Sequence, residues 1–441
     1  MPFDGLDFIG THTSLSEERA LELFLPKEVL IPLLQHRGNP AELLVKEGDY
    51  VRIGQPIGKV KDAPSAPVHA SISGTVTSIE QLRLPDGRVS SAVRIESDGK
   101  RQYISSVKKN ENFLDFTPKI LWQLLFQSGI VGMGGEGYSA FYKCQIAEEF
   151  GVDTLLINGI QCEPYLTCDS YQLRERSSKV IQGAAALAGV LQIKKIRFCI
   201  QDKWMREIEA MYTALQGVET EFPDKEMEIL LFRSRYPQGY EKLLCQAVYE
   251  KPFDLNKTVE EQYKAVVFNV STCCAFAEML EKNLPCVSRI ITLSGDQMDK
   301  KNIQVPIGTR VSELLAAVPE AKDANIVLGG AITGVPISDL DMPVMKTTTG
   351  ITVLQNEIPK PMHCIRCGSC ESACPMNLIP HLCERLILGN KEKKLEKLPI
   401  EQCISCGACS YVCPSKHSLS YHIARYAHQA RMKKMEGEKE A

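Results

Sequence analysis

The spacing of apolar residues is strand-like over the first hundred residues of the chain. Residues 29–82 consist of short apolar runs separated by the turn signals Gly48-Asp49, Gly54-Gln55 and Ser73-Gly74. Runs of this length, broken at such short intervals, are typical of short strands joined by turns. The pattern therefore predicts an all-β module at the start of the chain.

From about residue 117 the spacing becomes helical. The segment ILWQLLFQSG is followed by a glycine-rich loop, a second helical stretch and the apolar strand DTLLIN. Further strands, IRFCI, EILLF and AVVFNV, alternate with helical segments to about residue 280. Alternation of this kind predicts an α/β domain.

The remaining third of the chain divides into two parts. Residues 286–345 return to strand-like runs around one short helical segment, VSELLAAV, which predicts a small mixed domain. The last hundred residues hold two cysteine runs, separated by the charged helical stretch LCERLILGNKEKKLEKL and followed by a polar tail. We therefore divide the chain into the segments 1–110, 111–283, 284–350, 351–420 and 421–441.

Length and composition fit a multidomain protein without a membrane span. The 441 residues are 44% hydrophobic and 24% charged, and the net charge of −3 gives no general attraction to nucleic acid, which we do not expect as a partner. No apolar run reaches the roughly 18–20 residues of a transmembrane helix, and the start, MPFDGLDFIG, lacks a signal-peptide layout. We expect a cytosolic chain that is still able to dock on a membrane partner.

Eight of the 17 cysteines form two runs with identical spacing. Both runs follow C-x2-C-x2-C-x3-C-P, ending at Pro375 and Pro414, which is the spacing of bacterial two-cluster ferredoxins. Because the fourth cysteine of each run usually serves the other cluster, two [4Fe–4S] clusters are predicted with crossed ligands. The first cluster takes Cys364, Cys367, Cys370 and Cys413, and the second takes Cys403, Cys406, Cys409 and Cys374.

A pair of structural zinc sites is the alternative for these runs. Zinc sites generally use two separated pairs of ligands rather than four cysteines within eleven residues, so clusters are favoured. Cys383 and the eight cysteines before residue 300 lie outside the runs and are interpreted as ordinary thiols, buried or on the surface.

The glycine-rich segment GIVGMGGEGY is a candidate phosphate-binding loop. It contains the spacing G-x-G-x-x-G, but it follows a helical segment rather than a strand, which is unlike a standard dinucleotide fingerprint. Glycines still permit a tight curl of backbone N–H groups around a phosphate, and Lys143 adds positive charge nearby. A purely structural turn is the alternative. The strand DTLLIN then delivers the polar segment 158–165 at its C-terminal end, where α/β sheets bind ligands.

Taken together, these segments resemble the RnfC family, the peripheral subunits of the Rnf ferredoxin:NAD oxidoreductase complex. The resemblance extends over nearly the whole chain. It is carried, in family order, by QHRGNPAELLVKEGDYVRIGQPIG with APVHASISGTV, then GIVGMGGEGYSAFYK, LLINGIQCEPYLTCD, YPQGYEKLL, SRIITLSGD and the two cysteine runs.

The resemblance implies a multidomain α/β and α+β fold. Residues 1–110 would be a barrel-sandwich module similar to biotinyl and lipoyl domains, structural or docking in role because its hairpin HASISG has no lysine to modify. Residues 111–283 would be an FMN- and NADH-binding domain similar to the flavin subunit of complex I. Residues 284–350 would be a soluble-ligand-binding β-grasp (SLBB) domain, and residues 351–420 a bacterial-type ferredoxin domain. Residues 421–441 are interpreted as a solvated polar helix, with a docking element as the alternative.

The same resemblance implies the cofactor site. The FMN phosphate would lie against Gly132, Gly134, Gly135, Gly137 and Lys143, the rest of the flavin against Asn158, Gly239, Asn269 and Thr272, and the nicotinamide near Glu163. Two segments depart from the family pattern. Glu136 places a carboxylate in the phosphate loop, and LGGAITG replaces a glycine-proline-methionine element near residue 330.

The predicted function is electron transfer between NAD(H), FMN and two [4Fe–4S] clusters, with no general acid or nucleophile required. The partners would be other Rnf subunits, including integral membrane subunits that move Na⁺ or H⁺, and indirectly ferredoxin. The chain would lie at the cytoplasmic side of the membrane as a peripheral subunit. Two alternatives remain open: a soluble RnfC-like reductase feeding a proline reductase or a cobalamin system, and a flavin-free iron–sulfur subunit.

Overall fold

The computed structural model describes residues 5–7, 21–218, 220–254, 256–355 and 360–440. Part of the opening segment used for the signal-peptide prediction, and the last residue of the predicted tail, lie outside these ranges. In the described part of the chain, no helix combines the length and apolar character needed to cross a bilayer.

The N-terminal module is all-β, as the spacing predicts. Its two sheets have the strand orders β2-β8-β7-β4 and β3-β5-β6, with antiparallel pairing throughout. Apolar side chains such as Val29, Ile57 and Val93 are fully buried between them. The strands, with a short β1 that joins a later sheet, are β1 (Glu22–Leu23), β2 (Glu28–Pro32), β3 (Glu42–Leu43), β4 (Tyr50–Val51), β5 (Pro56–Lys59), β6 (Val68–His69), β7 (Gly74–Arg83) and β8 (Val89–Ser97).

The second domain is a parallel four-stranded sheet with helices around it, in the strand order β11-β10-β9-β12. Strands β9 and β12 are buried except at their last residues, Asn158 and Asn269, which are paired in register. The elements are α1 (Pro118–Ser128), α2 (Ala140–Glu149), β9 (Thr154–Asn158), α3 (Cys168–Glu175), α4 (Ser177–Leu191), β10 (Lys195–Gln201), α5 (Met205–Val218), β11 (Glu226–Phe232), α6 (Glu241–Tyr249), α7 (Val259–Tyr263), β12 (Ala265–Asn269) and α8 (Val270–Lys282).

The third domain is a six-stranded mixed sheet with one short helix. Its strand order is β1-β14-β13-β17-β15-β16, so it recruits β1 from the start of the chain and extends to Leu354, past the predicted boundary at residue 350. Both additions follow from backbone pairing, which sequence spacing does not reveal. The elements are β13 (Ser288–Gly295), β14 (Lys301–Pro306), α9 (Val311–Leu315), β15 (Asn325–Leu328), β16 (Val335–Ile337) and β17 (Gly350–Leu354).

The C-terminal domain is a small helical unit. The stretch predicted as one charged helix is instead two helices, because the chain turns at Gly389-Asn390, where Asn390 has a φ of 50°. The last helix begins at Leu419, and its buried Ile423 shows that the predicted tail is partly packed against the cysteine runs. The helices are α10 (Ser369–Ser372), α11 (Pro380–Leu388), α12 (Glu392–Leu395), α13 (Ala408–Tyr411) and α14 (Leu419–Glu440).

The first three domains meet around Lys346, which is 1% exposed. Its Nζ donates to the carbonyl of Pro67 in the N-terminal module (2.7 Å) and to that of Gly129 at the end of α1 (2.6 Å). Its backbone N–H donates to Gln35 Oε1 (3.1 Å), while Arg289 donates to its carbonyl. Burial lowers the pKa of Lys346 to about 8. One side chain thus fixes the three domains relative to one another.

Candidate functional site

The glycine-rich loop connects α1 to α2 and is closed by its own backbone. Gly132 N donates to the carbonyl of Tyr138 (2.7 Å), and Gly137 N donates to that of Gly132 (3.1 Å). Met133 N donates to Thr272 Oγ1 on α8 (3.2 Å), so Thr272 supports the loop from behind.

The amides at the tip of this loop are available to a ligand. Among the described residues, the N–H groups of Gly134, Gly135 and Glu136 donate no hydrogen bond. Gly135 has a φ of 111°, and a Cβ placed there would meet nothing within 4 Å. Three consecutive exposed amides around such a residue form a concave anion site, so the loop fits a phosphate group.

Lys143 of α2 is a cation close to this loop, and it is already paired. Its Nζ lies 2.8 Å from Glu241 Oε1 and 3.9 Å from Glu136 Oε2. Burial alone would lower the pKa of Lys143, but the attraction of Glu241 and Glu136 outweighs it and holds the pKa above its ordinary value. The Glu136 carboxylate therefore faces the site. Its negative charge offsets part of the positive charge with which Lys143 would attract a phosphate.

Asn158 and Asn269 shape the floor of the site through their own hydrogen bonds. Asn158 Nδ2 donates to the carbonyl of Gly239 (2.8 Å), and Asn269 Nδ2 donates to Asp169 Oδ2 (2.8 Å). Asn269 Oδ1 also caps α8 by accepting from Ser271 N (2.8 Å). Burial raises the pKa of Asp169. A Cβ on Gly239 would lie 2.5 Å from the carbonyl oxygen of Ile160, so the close approach there requires glycine.

Glu163 connects the α/β domain to the loop between β15 and β16. Its carboxylate accepts from Thr333 N (3.0 Å), from the Thr333 hydroxyl and from Ile332 N (3.3 Å). It also lies within hydrogen-bonding reach of Tyr236, and burial raises its pKa. The segment LGGAITG, one of the departures from the family pattern, thus supplies the partners of Glu163.

Tyr236 joins this network to the second cysteine run. The side chain is 2% exposed, and its hydroxyl donates to the backbone carbonyl of Cys406. Ile332 packs against the same cysteine run. The contact is so close that a Cβ added to Gly407 would lie 2.5 Å from Ile332 Cγ2.

Most of these groups line one cavity of about 550 Å³, a size typical of small-molecule sites. Of the residues predicted to hold the cofactor, those that line it are Gly132, Gly134, Gly135, Lys143, Asn158, Glu163, Gly239 and Asn269. Gly137 and Thr272 are placed outside it, the first near Thr347 and the second behind the loop. Residues not assigned to the cofactor site from the sequence also line it, among them Arg37, Pro85, Tyr138, Asp169, Tyr236, Glu241, Ile404 and Cys406.

The eight run cysteines line two further cavities, four thiols in each. One cavity is lined by Cys364, Cys367, Cys370 and Cys413, and the other by Cys374, Cys403, Cys406 and Cys409. These sets are the crossed ones that the spacing predicts. In both runs the backbone has positive φ at equivalent positions, Arg366 and Gly368 in the first and Ser405 and Gly407 in the second. Four convergent thiols on two matched loops fit a cubane cluster in each cavity.

The two cluster cavities differ in their surroundings. Ile404 and Cys406 line both the large cavity and the cavity of the second cluster, so the two share a wall. By contrast, Cys364 and Cys367 are exposed, as are the neighbouring Met362 (64%) and Ile365 (67%). One cluster site therefore adjoins the large cavity and the other faces outward.

The other nine cysteines are thiols outside these cluster cavities. Eight are buried, and Cys162 is half-buried beside the large cavity. Burial raises the pKa of Cys383 to about 11. In the described residues no three His, Cys, Asp or Glu side chains form a single-ion site.

Three protein-family sequence models match this chain in the order of its domains. Residues 8–100 match the RnfC barrel sandwich hybrid domain, residues 125–278 the Nuo51 FMN-binding domain, and residues 363–418 the 4Fe-4S dicluster domain. The multidomain α/β and α+β fold class expected from the sequence is confirmed by these matches together with the observed sheets.

Curated relatives are similar over most of the chain. A subunit of the proton-translocating ferredoxin:NAD(+) oxidoreductase complex of Clostridium ljungdahlii is 34% identical, over 83% of this chain and 80% of that protein. A subunit of the Na(+)-translocating ferredoxin:NAD(+) oxidoreductase complex of Acetobacterium woodii is 31% identical, over 84% of this chain and 85% of that protein. Among solved structures, an NAD+-reducing [NiFe]-hydrogenase in the H2-reduced state has a TM-score of 0.53 at 16% identity, covering 72% of this chain and 62% of that one. That similarity concerns the fold alone.

Proposed function

Because the chain belongs to the RnfC family of ion-translocating ferredoxin:NAD(+) oxidoreductase complexes, we propose that it carries electrons between NAD(H) and two [4Fe–4S] clusters by way of FMN. The flavin, when bound, would supply the conversion between hydride transfer with NAD(H) and single-electron transfer with the clusters, which carry one electron at a time. The main support for this proposal is the wall that two cavities share. Ile404 and Cys406 line both the nucleotide-sized cavity and the second cluster cavity.

The chain itself binds and orients these groups. The amides of Gly134, Gly135 and Glu136, with Lys143, would hold the flavin phosphate. Asn158 and Asn269 fix the strand ends beneath the cavity, and Gly137 and Thr272 support the loop from outside it. Glu163 would lie beside the nicotinamide and holds the loop over the second cluster site.

The arrangement also orders the two clusters. The second cluster, held by Cys403, Cys406, Cys409 and Cys374, would exchange electrons with the flavin bound in the cavity. The first cluster, held by Cys364, Cys367, Cys370 and Cys413, would exchange electrons with a partner protein, because the first cysteine loop is exposed. The partner would be another subunit of the complex, reached at the cytoplasmic face of the membrane, with ferredoxin a more distant donor or acceptor.

Anaerobic reconstitution with iron, sulfide and FMN tests this function. We expect about eight iron atoms and one flavin per chain, and bleaching of both chromophores by NADH. Protein reconstituted without FMN is the control, and its clusters should not bleach with NADH. Full iron with no flavin bound, and no bleaching, would support a flavin-free iron–sulfur protein instead.

Purification from native membranes tests membership of the complex. We expect the chain to co-purify with integral membrane subunits in mild detergent. Recovery only in the soluble fraction, loaded with flavin and iron, would instead indicate a stand-alone reductase.

A further inference from the structure

More negatively charged than positively charged side chains line the large cavity. Four are carboxylates, Glu136, Glu163, Asp169 and Glu241, and two are cations, Arg37 and Lys143. A dinucleotide that enters this cavity brings a pyrophosphate with two negative charges, so a cation that is not already neutralised would strengthen its binding.

Lys143 is not such a cation, since its Nζ lies 2.8 Å from Glu241 Oε1 and 3.9 Å from Glu136 Oε2. Arg37 has no carboxylate within ion-pair distance among the described residues. Its backbone N donates to the carbonyl of Gly137 (2.8 Å) and its Nε donates to the carbonyl of Glu136 (3.0 Å). These two bonds fix the side chain against the glycine loop and leave the terminal N–H groups of the guanidinium for a ligand.

We propose that Arg37 recognises the pyrophosphate of NAD(H), and that the N-terminal module thereby forms part of the nucleotide site. This inference rests on the proposed function for its choice of ligand. A guanidinium presents a planar fork of donors that matches phosphate oxygens bidentately. Arg37 is exposed where it lines the cavity, whereas the Lys143 side chain is only 12% exposed, so an exchanging nucleotide would meet Arg37 first and a resident flavin phosphate would lie nearer Lys143.

A second part of the same module supports this placement. Pro85, in the turn between β7 and β8, also lines the cavity. The module predicted to be structural or docking in role therefore contributes two residues from different turns to the wall of the site.

The test uses the flavin- and cluster-loaded protein and ADP-ribose, a redox-inert probe that carries the pyrophosphate without the nicotinamide. Arg37→Gln should weaken binding of ADP-ribose and of NADH roughly tenfold, as expected for loss of one charge-assisted contact. Arg37→Lys should have a smaller effect, because it keeps the charge and loses the fork. Affinity in Arg37→Gln should also depend less on salt than in the wild type.

Arg88→Gln is the matched control, since Arg88 is an exposed arginine of the same module that pairs with Asp86 (2.6 Å) outside the cavity lining. Its affinities should equal those of the wild type. Flavin content should remain the same in all three variants.

Unchanged affinity of Arg37→Gln for both nucleotides would overturn the inference. Loss of flavin from Arg37→Gln with unchanged ADP-ribose binding would also overturn it, because the guanidinium would then bind the flavin. Failure of the wild type to bleach with NADH while it binds ADP-ribose would count against the proposed function alone, and Arg37 would still be judged by the ADP-ribose arm. A wild type that binds neither nucleotide would overturn both.

Discussion

At the scale of single residues, the site depends on side chains whose partners are far away in sequence. Lys143 reaches Glu241, and the Tyr236 hydroxyl reaches the Cys406 carbonyl, across 98 and 170 residues respectively. Lys143 was predicted from the sequence as a phosphate ligand because it follows the glycine loop. Its ion pair with Glu241 could not be predicted, since nothing in the local pattern around residue 241 indicates which side chain it faces.

Tyr236→Phe should lower the reduction potential of one cluster by roughly 20–60 mV, the one-electron equivalent of a lost hydrogen bond of about 0.5–1.5 kcal/mol. The Tyr236 hydroxyl directs its positive end at Cys406, which stabilises the more negative, reduced state of the cluster. Removal of the hydroxyl therefore lowers the reduction potential. Redox titration followed by electron paramagnetic resonance measures the shift.

Tyr263→Phe is the control for that substitution, because Tyr263 also donates its hydroxyl to a backbone carbonyl, that of Lys251 (2.7 Å), away from both cluster cavities. Neither potential should change in the control, and iron content should remain full in both variants. Equal shifts of both clusters in Tyr236→Phe, or none, would contradict a specific link to Cys406.

At the scale of elements, the two cysteine loops illustrate what local spacing can predict. Their positive-φ positions and their thiol sets repeat from one run to the other, because three ligands lie within seven residues and the backbone between them has few ways to close. The helix between the runs was predicted less well. Its break at Gly389-Asn390 depends on how α11 and α12 pack around Cys383 and Leu395, not on helical spacing alone.

Cys413→Ser should damage the cluster of the first run, and Cys374→Ser that of the second, since each serine leaves the opposite loop without its fourth thiolate. The spectrum of the cluster that survives in Cys413→Ser should match the survivor in Cys364→Ser. Cys383→Ser, a buried thiol outside both cavities, should keep both clusters. A match of Cys413→Ser with Cys403→Ser would show uncrossed ligation.

Gly183→Ala should destabilise the α/β domain by about 1–3 kcal/mol, because a Cβ there would lie 1.9 Å from the carbonyl oxygen of Cys273 and would force α4 and α8 apart. Gly217→Ala on α5 is the matched substitution, since its Cβ meets nothing within 4 Å, and it should stabilise by about 0.5–1 kcal/mol. Denaturant midpoints of the loaded proteins measure both. Equal effects in the two variants would refute the close helix contact.

At the scale of the whole molecule, the domains are joined by buried polar groups. Lys346 binds carbonyls of two other domains, and His69 lies beside it in the N-terminal module with its Nδ1 unpaired among the described residues. Burial lowers the pKa of His69 to about 3, and the charge of Lys346 acts in the same direction. The junction therefore requires a neutral imidazole.

This requirement gives the junction a pH dependence. The pKa of His69 is lower in the folded protein than in the unfolded chain, where it is near 6.5. The contribution of His69 to the free energy of unfolding is therefore complete above pH 6.5 and is lost as the pH falls toward 3. From pH 7 to pH 5 the loss is about 2 kcal/mol. Hydrogen exchange of β6 and β7, corrected for intrinsic rates, should show this decline in the wild type and a smaller one in His69→Gln.

His428→Gln is the control for that measurement, because His428 is exposed on α14, in another domain. It should leave the decline unchanged. The same decline in His69→Gln as in the wild type would show that another group causes it.

The sequence by itself predicted the two clusters, the crossed ligand sets and the order of the domains, because ligand spacing, turn signals and strand periodicity are local properties of the chain. With the family resemblance, it also indicated eight of the cavity-lining residues. Only the tertiary structure decided which cluster adjoins the cavity, which carboxylates neutralise Lys143, and that Arg37 from the first module completes the wall. Those features depend on how separate domains pack, and packing brings together residues whose distance along the chain carries no signal.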